Sequence, residues 1–134
     1  MSQVILLDTH ILLWWINRNF DYFPASWRDR IESATQVGIS PISCYEIALS
    51  HRKGRIQLTY PVREWLQNAL HLGKIDLFPL TDTVAVRAVE LTPIHKDPFD
   101  RLIIATALEY NAKLASIDNM VWQYPEIRNC LLKP

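Results

Sequence analysis

Short apolar segments of strand length alternate with longer helical segments along nearly the whole chain. Apolar runs without polar alternation are typical of strands that are covered on both faces of a sheet. Alternating strands and helices favour an open, largely parallel α/β sheet. We therefore predict strands at Val4–Leu7, 37–39, 75–80 and 113–117, with a weaker one at 128–132. Helices are predicted from Ile11 to Trp15 and over 25–36, 43–53, 61–72, 81–91 and 98–110.

The composition suits a single globular domain spanning residues 1–134. The formal net charge of zero provides no overall positive field, so contact with a polyanion needs a local patch. Two cysteines outside any CxxC pattern are typical of free thiols in a reducing compartment. The apolar N-terminus lacks the basic region and cleavage site of a secretion signal. We therefore expect a soluble, cytoplasmic protein.

Four carboxylates are predicted at junctions between strands and helices. Asp8 and Asp118 each close a predicted strand, and Glu46 and Asp100 lie in the first turns of predicted helices. Helix capping also explains each acid taken alone, and Ser43 and Glu46 have the spacing of a capping box. In a parallel sheet, however, strand ends and the following helix starts meet at one edge, where ligands bind. We therefore predict that the four acids face one crevice.

Carboxylates held close together repel one another unless protons or a cation balance their charge. An oxygen-only ligand set favours Mg²⁺ or Mn²⁺ over zinc. Thr9 and Ser116 stand near Asp8 and Asp118, where their hydroxyls either orient a carboxylate or water or satisfy local backbone. The pattern predicts a metal centre at which an activated water hydrolyses a phosphodiester.

Basic residues and histidines are considered as substrate contacts. Arg52, Lys53 and Arg55 follow the predicted helix of Glu46, where they either contact phosphates or form a solvated helix end. His95 precedes an acidic helix, and both a phosphate contact and a plain loop position are open for it. The four histidines lack the spacing of a zinc site.

The segment HKDPFDRLIIATAL carries the clearest helix signal in the chain. Asp97 is predicted as the N-cap and Pro98 as the first helical residue, where a missing N–H is harmless. Apolar residues then cover most of the helix circumference, which predicts a buried helix. Arg101 lies four residues after Asp97, so an ion pair between them is an alternative to a substrate contact.

Four blocks, in order and over nearly the whole chain, resemble the PIN-domain family. They are LLDTHILLWW, SCYEIA, HKDPFDRLIIATAL and ASID, of which the third contains the specific string DPFDRLIIATA. More narrowly, they resemble the VapC-type toxins of type II toxin–antitoxin pairs. The resemblance implies a three-layer α/β/α sandwich around a mainly parallel sheet. It also implies an endoribonuclease that depends on Mg²⁺ or Mn²⁺.

The same resemblance assigns roles to individual acids. The acidic quartet of the family maps onto Asp8, Glu46, Asp100 and Asp118. Asp8 and Asp100 are then direct metal ligands. Glu46 holds the metal or its water, and Asp118 acts mainly through water.

Further positions fall within the matching blocks. Asp97 matches an acid often present in the subfamily, and Ser116 stands where the family usually has threonine. Family members are usually homodimers that are inhibited by a VapB-type antitoxin, whose peptide lies along a hydrophobic groove. Trp14 and Trp15, with Trp27 as a third candidate, either line such a groove or pack in the core.

Two rival functions are weighed against a ribonuclease. A catalytically silent PIN fold would act as an RNA- or protein-binding module, but it predicts missing acids, and all four are present. A phosphatase with an aspartyl nucleophile would need a DxD pair after the first strand, where this chain has DTH. The sequence therefore favours the ribonuclease.

Overall fold

The apolar run Val4–Leu7 forms β1, a central strand of a parallel sheet. In this computed structural model, which describes residues 3–134, Ile5 and Leu7 face one hydrophobic cluster and Leu6 faces another. All three side chains are fully buried. Successive side chains point to opposite faces of a strand, so a strand covered on both faces must be apolar throughout.

Strands and helices alternate along the described chain, as the sequence predicts. After β1, the strands are β2 Gln36–Ile39, β3 Asp76–Leu77 and β4 Lys113–Ala115. The α-helices are α1 Thr9–Ile16, α2 Ser26–Glu32, α3 Pro41–Arg52, α4 Val62–His71, α5 Asp82–Glu90, α6 Pro98–Glu109 and α7 Asn119–Trp122. The 3₁₀ helices are Phe20–Tyr22 and Pro125–Cys130. Within residues 3–134, no helix has both the length and the apolar character that a membrane crossing requires.

The strand order is β3-β2-β1-β4, and each neighbouring pair is parallel. The chain places β2 and β3 on one side of β1 and then returns to place β4 on the other side. The order therefore reverses between β1 and β4, and open α/β sheets bind ligands at such a point. Leu7 pairs with Ala115 at the carboxyl ends of these two strands. The residues that follow, Asp8 and Ser116, consequently meet at this edge.

Helices cover both faces of the sheet. In one hydrophobic cluster, the helices α1, α2, α3 and α4 pack against the sheet. This cluster contains the buried rings of Trp27 and Trp65. The other joins α6, α7 and the second 3₁₀ helix to the sheet and contains Ile104 and Ile127. The prediction of a three-layer α/β/α sandwich around a mainly parallel sheet is confirmed.

β3 is shorter than the predicted strand at 75–80. Only Asp76–Leu77 pairs with β2, and both of these residues are exposed at the edge of the sheet. Ile75 and Phe78, on either side, are buried in the core. The apolar run therefore marks a segment that enters and leaves the core, of which a small part has the geometry of a strand.

The predicted strand at 128–132 is wrong. Most of this segment belongs to the 3₁₀ helix Pro125–Cys130, and its β-pairing is limited to a bridge between Leu114 and Leu131. Pro125 opens the segment with no N–H and a φ angle suited to a helical turn. The apolar residues that suggest a strand, Leu131 and Leu132, follow this helix and are buried, and the N–H of Leu132 donates to the carbonyl of Leu114 at 2.8 Å.

Gly38 in β2 has no side chain, which allows β3 and the residue after it to pack closely against it. A Cβ atom at this position would lie 2.6 Å from Cε1 of Phe78 and 2.9 Å from the backbone oxygen of Asp76. We predict that Gly38→Ala lowers the free energy of unfolding by about 1–3 kcal/mol, because β3 must shift to admit the methyl group. Urea denaturation measures this change. Thr83→Ala on the exposed surface of α5 is the control, and we expect it to change the free energy of unfolding by no more than about 0.5 kcal/mol. Equal stability of Gly38→Ala and wild type would contradict the prediction.

Candidate active site

Asp8 is held between β1 and β4 through both of its side-chain oxygens. Its backbone N–H donates to the carbonyl of Ala115 at 3.0 Å, which extends the strand pairing by one residue. Oδ1 accepts a hydrogen bond from the N–H of Thr9 at 2.8 Å, and Oδ2 accepts one from the Ser116 hydroxyl at 2.6 Å. The buried Ser116 also accepts a hydrogen bond from the N–H of Asp118 at 3.2 Å. One hydroxyl thus connects two of the four predicted acids.

Thr9 connects Asp8 to the third acid. Its hydroxyl donates to Oε1 of Glu46 at 2.6 Å and lies 2.9 Å from the hydroxyl of Ser43. Because a hydroxyl carries one hydrogen, Ser43 is the donor to Thr9 in this arrangement. Thr9 and Ser43 are both buried. They therefore hold the Glu46 carboxylate toward the end of β1.

The predicted capping box of Ser43 and Glu46 is wrong, because α3 begins before Ser43. Ser40 is the N-cap: its hydroxyl accepts a hydrogen bond from the N–H of Ile42 at 3.1 Å, and Pro41 is the first helical residue. A serine followed by proline satisfies the requirements of both positions. Glu46 consequently lies in the second turn of the helix, free of a capping role.

The entry to α6 brings together His95, Asp97 and Asp100. The predicted N-cap role of Asp97 is confirmed, since its Oδ1 accepts a hydrogen bond from the N–H of Phe99 at 2.9 Å, and Pro98 follows as the first helical residue. Nδ1 of His95 accepts a hydrogen bond from the N–H of Asp97 at 3.1 Å. His95, Asp97 and Asp100 each offer a ligand atom within 4.8 Å of the others. His95 lies outside the predicted quartet, and its place in the loop before Asp97 is the signal in the sequence that points to it.

Asp118 is the most exposed of the four predicted acids. It caps α7, where its Oδ1 accepts a hydrogen bond from the N–H of Met120 at 2.9 Å. Its charge nevertheless raises the pKa values of Asp8 and Asp100, although it is not the largest cause of either shift. The structure therefore gives Asp118 a capping role and also places it at the rim of the cluster.

The pKa of Asp100 responds to the charges of the neighbouring acids. Burial, followed by repulsion from Asp97, Asp8, Asp118 and Glu46, raises the pKa of Asp100 from 3.8 to about 7. Burial also raises the pKa of Asp8 and that of Glu46, and hydrogen bonds oppose both shifts. The crevice thus gathers more negative charge than its hydrogen bonds balance.

The donor set fits a hard divalent cation. The ion pairs within residues 3–134 join Arg28 to Glu32 and Arg87 to Glu109, so no arginine or lysine forms an ion pair with the acids of the crevice in this part of the chain. The charge of His10 lowers the pKa values of Asp8 and Glu46, but burial outweighs it. Asp97 and Asp100, with Asp8 and Glu46 near them, supply carboxylate oxygens, which Mg²⁺ and Mn²⁺ prefer as ligands, and His95 adds one nitrogen donor. The chemistry of the site therefore suits such an ion better than zinc.

Arg101 lies close to these acids in sequence but binds elsewhere. Its guanidinium group donates to the carbonyls of Leu91 at 2.7 Å, Thr92 at 3.0 Å and Val89 at 3.2 Å. The alternative of an ion pair with Asp97 is not realised among the ion pairs of residues 3–134. The planar guanidinium group instead satisfies carbonyls at the end of α5. A contact of Arg101 with substrate stays a prediction.

The basic run lies at the far end of the helix that carries Glu46. Arg52 ends α3, Lys53 is its C-cap and Arg55 follows in the loop. All three are exposed. Their contact with phosphates stays a prediction.

The tryptophans of α1 and α2 differ in their exposure. Trp14 is half-buried, and its ring centroid lies 5.7 Å from that of His10 and 5.4 Å from that of Tyr22. Trp15 is also half-buried and packs against aromatic rings of the segment that follows α1. Trp27 is fully buried and donates its indole N–H to the Lys133 carbonyl at 3.1 Å. Trp27 therefore belongs to the core, whereas Trp14 and Trp15 reach the surface.

Comparison with known proteins identifies the family. The sequence profile of the PIN domain matches residues 5–125. Ribonuclease VapC22 of Mycobacterium tuberculosis is 36% identical over 116 residues, which cover 85% of this chain and 86% of that relative. The chain therefore belongs to the PIN-domain family, as the four sequence blocks predict.

Solved structures confirm the fold. VapBC2 of Rickettsia felis, bound to a DNA fragment from its promoter, superposes with a TM-score of 0.68 at 18% identity, over 93% of this chain and 96% of that one. VapBC-1 of nontypeable Haemophilus influenzae superposes with a TM-score of 0.64 at 16% identity, over 96% of each chain. At these identities, the likeness concerns the three-layer fold alone.

The raised pKa of Asp100 leads to a test of stability against pH. The folded protein binds this proton up to a pH of about 7, whereas an unperturbed aspartate releases it near 3.8. Without metal, folding stability attributable to Asp100 is therefore present at low pH and is lost as the pH rises through this window. We predict that Asp100→Asn becomes progressively more stable than wild type between those two pH values and that the difference then levels off. Thermal unfolding in EDTA over this pH range measures the difference in stability, with Asp29→Asn on α2 as the control. If the stability of Asp100→Asn and that of wild type depend on pH in the same way, the prediction is wrong.

Proposed function

We propose that this chain is an endoribonuclease that depends on Mg²⁺ or Mn²⁺ and acts as the toxin of a toxin–antitoxin pair. The observation that carries the proposal is the group of acids at the reversal of strand order, where Thr9 links Asp8 to Glu46 and Asp100 lies with Asp97. Membership of the PIN-domain family and the likeness to a relative named as a ribonuclease support the same activity. We further propose that residues 1–134 act as one catalytic domain and that RNA cleavage takes place in the cytoplasm.

In this proposal, the acids of the crevice hold the metal. Asp8 and Asp100 are direct ligands, Glu46 holds the metal or its water, and Asp118 acts mainly through water. His95 and Asp97 lie beside Asp100 and are placed to complete the ligand set or its surroundings. When bound, a divalent cation supplies activation of water and neutralisation of charge on the phosphate.

The chain contributes orientation. Ser116 and the N–H of Thr9 hold the two oxygens of Asp8, and the hydroxyl of Thr9 holds Glu46. Groups that are oriented before substrate arrives need little rearrangement during reaction. Thr9 and Ser116 therefore act through the acids rather than on the substrate. Arg52, Lys53 and Arg55 remain the proposed contacts for the phosphate backbone beyond the crevice.

The first test is metal-dependent cleavage of total cellular RNA by the purified chain without antitoxin. We expect discrete fragments with Mg²⁺ or Mn²⁺ and none with EDTA. Asp8→Asn is expected to reduce the cleavage rate by at least roughly 100-fold, because it removes one proposed ligand charge. The matched control is Asp29→Asn, an exposed acid in α2, with cleavage unchanged.

A second readout separates metal binding from cleavage. Mn²⁺ is expected to raise the melting temperature of wild type and to raise that of Asp8→Asn less, because a ligand stabilises the state that binds it. Cleavage that persists in EDTA would overturn the metal dependence. A folded protein that shows neither cleavage nor stabilisation by metal would instead be the catalytically silent binding module.

We also propose that the chain forms a homodimer and is inhibited by a VapB-type antitoxin. The similar solved structures from Rickettsia felis and Haemophilus influenzae are of VapBC2 and VapBC-1, and a third is a toxin–antitoxin complex from Klebsiella pneumoniae. On this chain, the half-buried rings of Trp14 and Trp15 offer apolar surface for such a partner.

These assemblies are tested by light scattering and by antitoxin capture. We expect twice the 15.6 kDa mass of one chain for the free protein. Trp14→Ala is expected to weaken binding of the cognate antitoxin at least roughly tenfold, because an aromatic anchor at an interface loses its contact area. Binding at wild-type strength would exclude Trp14 from the antitoxin groove, and a monomeric mass would exclude the homodimer.

A further inference from the structure

Two aromatic rings lie at the rim of the candidate active site. Tyr45 on α3 and Phe99 on α6 have ring centroids 5.2 Å apart with an interplanar angle of 56°. Tyr45 directly precedes Glu46, and Phe99 directly precedes Asp100. The aromatic pair therefore connects the two helices that carry these acids.

The pair is not part of the hydrophobic core. Tyr45 is 55% exposed, and neither ring belongs to the hydrophobic clusters that pack against the sheet. An exposed ring next in sequence to Glu46, one of the acids of the crevice, is available to a ligand that has both an aromatic and a charged part.

We propose that Tyr45 and Phe99 form a stacking subsite for a base of single-stranded RNA next to the phosphate that is cleaved. This inference rests on the proposed ribonuclease function and names the form of its substrate. Unpaired bases stack on exposed aromatic side chains, whereas bases within a duplex are covered by their neighbours. A nucleotide held in this way has its base on the ring and its phosphate toward the acids.

The charge distribution favours such a contact. The acids of the crevice repel a phosphodiester until a cation is bound, and the guanidinium group of Arg101 is occupied by backbone carbonyls. The exposed basic run Arg52, Lys53 and Arg55 follows the helix rather than its acidic turns. Stacking supplies affinity next to the cleavage point without placing a positive charge there.

The test compares two probes with wild type and variants at position 45. One probe is a labelled single-stranded RNA of about 12 nucleotides that contains a mapped cleavage point, and the other has abasic riboses on both sides of that point. For wild type, we expect KM and Kd to be roughly 5- to 150-fold higher for the abasic probe than for the intact probe. This factor corresponds to the loss of one stacked base, at about 1–3 kcal/mol. Tyr45→Leu is expected to weaken binding of the intact probe by a similar factor, with the change mainly in KM rather than in kcat. This variant is also expected to bind the intact and the abasic probe equally well. Tyr45→Phe retains the ring and is expected to restore both properties.

Controls separate stacking from folding and from catalysis. Tyr60→Leu removes another exposed tyrosine, in the loop before α4, and is expected to leave KM unchanged. Melting temperatures exclude misfolding of each variant. Two results would overturn the stacking subsite: wild-type binding of the intact probe by Tyr45→Leu, or a sensitivity of this variant to abasic sites equal to that of wild type. The pair would then serve only as packing between α3 and α6.

The same experiment distinguishes failure of the ribonuclease proposal from failure of the stacking proposal. Kd is measured by fluorescence anisotropy with Ca²⁺, which balances the charge of the acids but is larger than Mg²⁺ and holds its ligands in a different geometry, and the absence of cleavage in that sample is checked on a gel. KM is measured with Mn²⁺. Binding that depends on Tyr45 without any cleavage would overturn the ribonuclease and retain the subsite. Cleavage that is indifferent to Tyr45 and to abasic sites would retain the ribonuclease and overturn the subsite.

Discussion

The pairing of β4 with β1 is the interaction on which the candidate site depends. It brings the Ser116 hydroxyl to 2.6 Å from Oδ2 of Asp8, and it extends to the N–H of Asp8 itself. A carboxylate at the end of a buried strand has lost most of its hydration, and these hydrogen bonds replace part of it. A shift of β4 by one residue would turn Ser116 to the opposite face of the sheet. The stability of the sheet and the orientation of Asp8 therefore come from the same contacts.

The crevice concentrates negative charge, and among the described residues no arginine or lysine forms an ion pair with it. Repulsion from four neighbouring carboxylates adds to burial in raising the pKa of Asp100 to about 7. Arg101, one residue later, turns away and binds the carbonyls at the end of α5. An internal arginine at the acids would have removed the repulsion permanently. A cation from solution would remove it only when bound, which is the physical reason that the site suits metal-dependent chemistry.

Much of this arrangement was predictable from local signals. Val4–Leu7 is apolar without alternation, which predicts a strand covered on both faces, and Asp97 followed by Pro98 predicts the start of α6. The strand at 128–132 was wrong, because the 3₁₀ helix Pro125–Cys130 occupies most of this segment and leaves Leu131 in a single bridge to Leu114. The capping box of Ser43 failed for a related reason, since an earlier serine and proline compete for the same helix start.

The sequence by itself determined which residues are apolar, where carboxylates follow strands, and hence the parallel α/β class and the acids of the candidate site. The tertiary structure alone decided that Thr9 orients Glu46, that Ser116 binds Asp8, and that Tyr45 meets Phe99. Local patterns arise from the period of one strand or helix, which neighbouring residues set. Contacts between distant segments depend on the order and register of the strands, and these follow from the packing of the whole sheet.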